Sequence, residues 1–445
     1  MTLLSTPFVV GLGLFVVGGA ALAQDRPAAE TPSAAQPTAS GTQEAKNETA
    51  IPVGLSEPLG PPTDPFNDTR TQGHVWGTMR YVPDVNLAYY HETNPTKVTS
   101  DGPSDQARVL YATLTVSDAQ GGPRKLFVGT AQTRFSHVSL GSDPRRVLTY
   151  QDRFSVMDWK VPVRLGYSSD TISRASFLSR KVNSELGVTV KTAGVDANRA
   201  WGDTKLGLGW RAGDVRIGSA ATSDGTVYRS TNSNTYHTLR ARLTQPVSET
   251  TELIAFAQAQ SYAYRSTGSA DPVNPTSDVR TVTVGVQHQL TEALALSADI
   301  GRARKTSGRE DLVPAASHGV GSIKAGYTPS SGTEASAAYM AGVEELNDTG
   351  VSNLKTGTWS FGLGHRISST LATTVSFDRT RVTTLELDGS VIDSKFYAAL
   401  LWKPHPRVLA AVAFSRTRRQ VAEGLQDFVR PFSNNRYLVN VTYYL

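Results

Sequence analysis

From about Trp76 to its last residue the chain repeats one pattern. Segments of about nine to eleven residues alternate apolar with small polar side chains, and the connections between them are alternately short and long. In residues 371–382 one parity holds Leu371, Thr373, Val375 and Phe377, while the other holds Ala372, Thr374, Ser376 and Asp378. Successive side chains of a strand point to opposite faces, so one face is apolar and the other small and polar. The pattern recurs with Val282, Val284 and Val286 against Thr281, Thr283, Gly285 and Gln287, and with Trp359, Phe361 and Leu363 against Ser360, Gly362 and Gly364. Short turns fall at Ala212-Gly213-Asp214, Thr291-Glu292-Ala293, Thr328 to Gly332, Ile367 to Thr370 and Pro404 to Arg407. Long polar connections fall at 222–234, 266–278, 306–318, 345–354, 383–393 and 420–434. A period of two combined with this rhythm predicts an all-β fold, a transmembrane antiparallel β-barrel of the outer-membrane type. A soluble sandwich also alternates, but nothing obliges its turns to keep a short/long rhythm through to the final strand.

Counting back from Leu445 gives about 18 strands, within a range of 16–18. This count takes 146–168 as one strand and places separate strands at 204–211 and 215–222. Splitting 146–168 at Met157-Asp158 gives 19 instead, and puts the Ala212-Gly213-Asp214 turn on the side of the long loops. An even count with short periplasmic turns keeps both ends of the barrel on the periplasmic side.

Composition agrees with a barrel. Charged residues are 19% of the chain, below the usual ~25%, as expected where half the strand positions meet lipid. No stretch of the body approaches the ~18 consecutive apolar residues of a membrane helix. There is no cysteine, which excludes a disulfide framework and a zinc–thiolate site. The net charge of +5 is spread along the chain without the basic run of a nucleic-acid arm, so no nucleic-acid partner is expected. Residues 1–23 read as a secretory signal peptide, with an apolar run from Phe8 to Val17 and the small-residue cleavage site Ala21-Leu22-Ala23. Residues 24–75, rich in Ala, Pro, Thr, Ser and Glu, read as a disordered periplasmic leader, and 76–445 as the barrel.

The two faces nominate three groups of residues. Leu294, Leu296, Ala298 and Ile300 are followed on one parity by Arg302 and Arg304; Leu371 to Phe377 by Arg379 and Arg381; and Val408 to Phe414 by Arg416 and Arg418. Seven tilted strand residues rise about 18 Å, which carries these arginines to the outer interface. There they suit lipid phosphates, which makes a lipopolysaccharide-binding rim one expectation and plain solvated strand ends the other. Trp210, Tyr327, Trp402 and Tyr443 at periplasmic strand ends, with Trp359 and Tyr437 at outer ends, are the expected aromatic girdle. On the opposite parity, Arg164, Lys181, Lys205, Arg211, Arg216, Arg240 and Arg242, with Lys160 and Lys191 nearby, predict a basic arc on the pore wall. Such an arc favours anionic solutes.

No Walker loop, His-Glu-x-x-His pair or Gly-x-Ser-x-Gly elbow is present, and the eight histidines lack ligand spacing. No enzyme, metal or cofactor is therefore expected. Pro83 to Asn94 at the first strand, together with the strand pairs from 279 on, resembles bacterial outer-membrane β-barrel porins, nearest to the beta-barrel porin 2 family. The resemblance spans roughly 76–445 at the level of pattern and implies a channel in the bacterial outer membrane. It also implies lipids, lipopolysaccharide and the barrel-assembly machinery as partners. The expected function is passive passage of small polar solutes, with anions favoured. The alternatives are export of an exopolysaccharide, which the resemblance implies with a polysaccharide as partner, and a non-conducting structural or adhesion barrel.

Overall fold

The computed structural model describes residues 74–93, 104–120, 122–135, 145–172, 186–221, 227–229, 233–265, 275–310, 315–329, 332–348, 351–384, 389–422 and 431–445. The signal peptide, nearly all of the leader and Lys181 lie outside the described residues. In chain order the strands are β1 (His74–Trp76), β2 (Met79–Glu92), β3 (Asp105–Asp118), β4 (Lys125–Phe135), β5 (Arg145–Val156), β6 (Trp159–Ile172), β7 (Leu186–Trp201), β8 (Thr204–Ile217), β9 (Ser219–Ala221) and β10 (Val227–Arg229). They continue with β11 (Asn234–Ser248), β12 (Thr251–Tyr264), β13 (Thr276–Gln289), β14 (Leu294–Ser307), β15 (Ala316–Tyr327), β16 (Thr333–Asp348), β17 (Val351–Arg366), β18 (Leu371–Thr384), β19 (Ser390–His405), β20 (Val408–Val421) and β21 (Phe432–Tyr444).

Eighteen strands, β2–β8 and β11–β21, close into one antiparallel barrel. Each pairs with its neighbours in the chain, and closure is the pairing of β2 with β21, from Asp84 opposite Tyr444 to Glu92 opposite Arg436. Strand β1 folds back on the start of β2, with His74 opposite Tyr81, along the stretch of β2 that β21 does not reach. Strands β9 and β10 form a small hairpin within the connection from β8 to β11.

Burial separates the two faces. On one parity large apolar residues are exposed, as with Ile300 at 72%, Val284 at 59% and Val412 at 59%. On the other parity Asn86, Gln260, Leu409 and Thr442 are buried. A closed barrel buries its concave face and leaves its convex face to the solvent it sits in, so the exposed apolar parity is the outer one and faces lipid. An 18-stranded barrel with an apolar outer band is an architecture of the bacterial outer membrane. Short turns at 157–158, 202–203, 249–250, 367–370 and 406–407 mark one end, and long connections such as 93–104, 173–185 and 422–431 mark the other. The short-turn end is the periplasmic one.

The strand count matches the expectation. The long connection expected at 345–354 is instead strand, with β16 running to Asp348 and β17 starting at Val351, because the two keep pairing past Glu345 and Asn353. Two other boundaries differ in compensating ways. Residues 146–168 form two strands, β5 and β6, joined by a two-residue turn at Met157-Asp158. Met157 takes the left-handed conformation there, at φ 52°. Conversely, no turn forms at Ala212-Gly213-Asp214: β8 runs unbroken from Thr204 to Ile217, paired throughout with β7 and for most of its length with β11. Gly213 is needed for close packing rather than for a turn. A Cβ at this position would lie 2.2 Å from the ring of Tyr236 on the neighbouring strand.

Candidate functional site

The inner wall of β6–β12 carries the cationic cluster. The inner parity includes Lys160 and Arg164 on β6, Lys205 and Arg211 on β8, and Arg240 and Arg242 on β11. The carboxylates among its described side chains are Asp196 and Glu252. Register brings these residues together through glycines. Arg164 and Arg211 lie on either side of Gly194 at one level of the wall. A Cβ on Gly194 would meet Arg211 Cγ at 3.3 Å, so the arginine stem lies over the glycine. One level down, Arg240 reaches across Gly209 and donates from Nε (3.2 Å) and Nη2 (2.7 Å) to Asp196 Oδ1. Gly209 provides the space, since a Cβ there would fall 2.5 Å from Asp196 Oδ1 and 2.6 Å from Arg240 Nε. Lys205 Nζ approaches Glu252 Oε1 at 3.5 Å, with the lysine more than half exposed, which makes this a weak pair.

Arg216 does not belong to this wall. Because β8 is continuous, Arg216 shares a parity with Leu208 and Trp210 and faces outward. It donates to Asp214 Oδ2 at 3.0 Å, and Arg265 pairs with the same carboxylate at 2.9 Å. Lys191, opposite Asp214, is outward for the same reason. Trp210 is corrected by the same boundary. It is outward and stacked on His237 (6.3 Å, 26°), but it sits in the middle of β8 rather than at a periplasmic end.

The remaining girdle candidates, Tyr327, Trp359, Trp402, Tyr437 and Tyr443, are exposed on the outer parity. Tyr327, Trp402 and Tyr443 lie close to the periplasmic ends of β15, β19 and β21. Trp359 and Tyr437 are not at outer strand ends: because β17 begins at Val351 and β21 at Phe432, both lie near mid-strand. There Trp359 packs on Tyr339 (4.6 Å) and Phe361 (6.4 Å), and Tyr437 on Phe414 (5.2 Å). Arg302, Arg304, Arg379, Arg381, Arg416 and Arg418 are all exposed on the outer parity towards the long-loop end.

Two features escape the sequence reading. Trp159 and Trp201 flank two-residue periplasmic turns and meet edge to face (6.2 Å, 84°). Arg199 lies over both rings at 5.8 and 4.9 Å. Adjacency to the turn residues Met157-Asp158 and Gly202-Asp203 is the signal that could have found them. The second feature is a buried apolar cluster on the inner face of β7–β13, where Tyr236, Tyr262 and Tyr264 pack with Val188, Val190, Val215, Ile217 and Val279. It becomes visible only once β8 is read as one strand, because Val215 and Ile217 otherwise point the wrong way.

No family model matches the chain, and no curated protein matches it. Among solved structures the chain is similar to OccAB3 of Acinetobacter baumannii, with 11% identity, 82% of this chain and 99% of that one covered, and a TM-score of 0.44. It is similar to OccK5 (OpdH) of Pseudomonas aeruginosa, with 10% identity, 82% and 98% coverage, and a TM-score of 0.43. It is also similar to the FrpB iron transporter of Neisseria meningitidis, with 9% identity, 82% and 81% coverage, and a TM-score of 0.43.

Proposed function

We propose that the chain is a porin-like outer-membrane channel for small polar solutes, with a preference for anions. The observation that carries this reading is the inner wall of β6–β12. There Arg164, Lys205, Arg211, Arg240 and Arg242 share the described surface with only Asp196 and Glu252 as carboxylates. A wall with this excess of fixed positive charge raises the local concentration of anions and lowers that of cations. The rest of the 18-stranded bore carries mostly small and polar side chains, with Asp299, Lys324, Asp378 and Lys395 among them in near balance of charge, and such side chains do not fill it. The resemblance of Pro83 to Asn94 to the beta-barrel porin 2 family points the same way. Polysaccharide export would draw support from open aromatic faces in the lumen. The inner-face tyrosines 236, 262 and 264 are instead buried among valines, so these three do not favour that reading.

Conductance of the purified protein in a planar bilayer under a KCl gradient tests the proposal. The expected reversal potential is that of an anion-preferring pore, and Arg240→Gln with Arg242→Gln moves it toward zero. Absence of conductance, or a cation preference in the unsubstituted protein, overturns the reading.

A further inference from the structure

The outward arginines are not an even rim. On β18–β20 the register gathers four of them around one small residue. Arg379 on β18 and Arg418 on β20 are both opposite Ser394 of β19, so the three share one row. Arg381, opposite Ile392, lies one row toward the outside, and Arg416, opposite Phe396, one row toward the membrane. Neighbouring strands are about 4.8 Å apart, so the Cα atoms of Arg379 and Arg418 stand about 10 Å apart with only a hydroxymethyl group between them. Two guanidinium forks can close over Ser394 onto one tetrahedral anion.

Three further observations specify the occupant. First, among the described residues no carboxylate pairs with any of the four, although all are exposed. The inner arginines contrast with them: Arg240 is paired with Asp196, Arg419 with Asp393 and Arg436 with Glu92. Second, the outer parity of β17–β21 contains no Asp or Glu, and it adds Lys355 on β17. Third, an aromatic belt lies on the membrane side of the cluster. Phe361 contacts Phe377 (6.4 Å), Phe396 contacts Phe414 (6.2 Å), and Phe414 contacts Tyr437 (5.2 Å). Aromatic belts mark the level of lipid headgroups. The second outward group is different: Arg280 lies opposite Arg304, but Asp278 is on the same face. Arg302 is already held by Ser317 Oγ at 2.7 Å.

We propose that the acid-free patch of Arg379, Arg381, Arg416 and Arg418 is a seat for the phosphate groups of the outer-leaflet glycolipid, lipopolysaccharide. It lies outside the lumen and does not depend on the channel reading.

The test uses the full chain carrying R379S, R381S, R416S and R418S together, with R302S/R304S as a second variant and R240Q as an inner-wall control. Heat-modifiable gel mobility reports whether each variant is folded. Lipopolysaccharide retained per barrel is measured after detergent extraction, and rebinding is measured with diphosphorylated and dephosphorylated lipid A and with inorganic phosphate as competitor. The expected result is at least about tenfold weaker retention in the quadruple variant. R240Q is expected to retain lipid normally, R302S/R304S to lose less than the quadruple variant, and dephosphorylated lipid A to bind poorly. S394E, which places a carboxylate in the patch, should reproduce the loss in a barrel that keeps all four arginines. Unchanged retention in the quadruple or S394E variant overturns the proposal, as does displacement of the lipid by inorganic phosphate at equal concentration.

Discussion

Asp393→Ala addresses how dry the inner face of β19 and β20 is around a buried ion pair. Arg419 of β20 donates from Nε to Asp393 Oδ1 and from Nη2 to Asp393 Oδ2, both at 2.7 Å. The two side chains are 2% and 9% exposed. Arg419 also lies 5.3 Å from the ring of Phe432. Removing one partner of a buried pair leaves a desolvated charge without its counter-ion and costs about 3–5 kcal/mol. Replacing both by apolar residues of similar volume is often neutral or stabilising. Asp393→Ala should therefore lower the unfolding free energy of the refolded barrel by about 3–5 kcal/mol. The double change Asp393→Leu with Arg419→Met should return it to within about 1 kcal/mol of the starting protein. Urea titration followed by tryptophan fluorescence, with gel mobility as a second probe, gives both values. A loss below about 1 kcal/mol for Asp393→Ala would match a water-exposed ion pair and refute the reasoning.

Asn86→Ala should cost about 1–3 kcal/mol in the same titration, because it strips the buried amide of Asn440 of its reciprocal 2.8 Å partners. A smaller loss would mean that water takes the place of the Asn86 side chain. Gly213→Val should destabilise by about 1–3 kcal/mol through overpacking against Tyr236, and the same substitution should cost less in a Tyr236→Ala background, which removes the buried ring at its own cost. Equal increments in the two backgrounds would show that the ring is not what Gly213 accommodates.

From β13 onward the faces and most strands were legible, because lipid on one side forces alternation and turns such as 291–293 and 367–370 are polar and short, whereas polar 345–354 reads as a loop but extends β16 and β17. The harder region was 146–222. Val156-Met157-Asp158-Trp159 turns without a glycine, so it looked continuous. Ala212-Gly213-Asp214 looked like a turn because a strand glycine and a turn glycine are written alike. What distinguishes them is the Tyr236 ring on a strand more than twenty residues away in the chain, which local reading does not reach. One misplaced break reversed the parity after it and moved Arg216 from the membrane face to the pore wall. Arg164, Lys205, Arg211, Arg240 and Arg242 were unaffected, since each lies in a segment whose own exposed leucines or valines fix its face.

The seam between β2 and β21 acts as a check on completeness. Every other pairing in the barrel joins strands adjacent in the barrel's chain order, and hairpin after hairpin can form without reference to the whole. The Asn86–Asn440 pair joins residues 354 apart in sequence, so it can form only when all the intervening strands are in place. It is also intolerant of error. Flipping β21 by one residue would turn Val439 and Val441 inward and Asn440 and Thr442 toward lipid, leaving polar groups without partners on both sides of the wall. The same join places Glu92 against Asn434 and Arg436 at the outer end. An amide lock at mid-height and a charged latch above it reject a barrel closed one step out of register, so the last contact made inspects all those made before it.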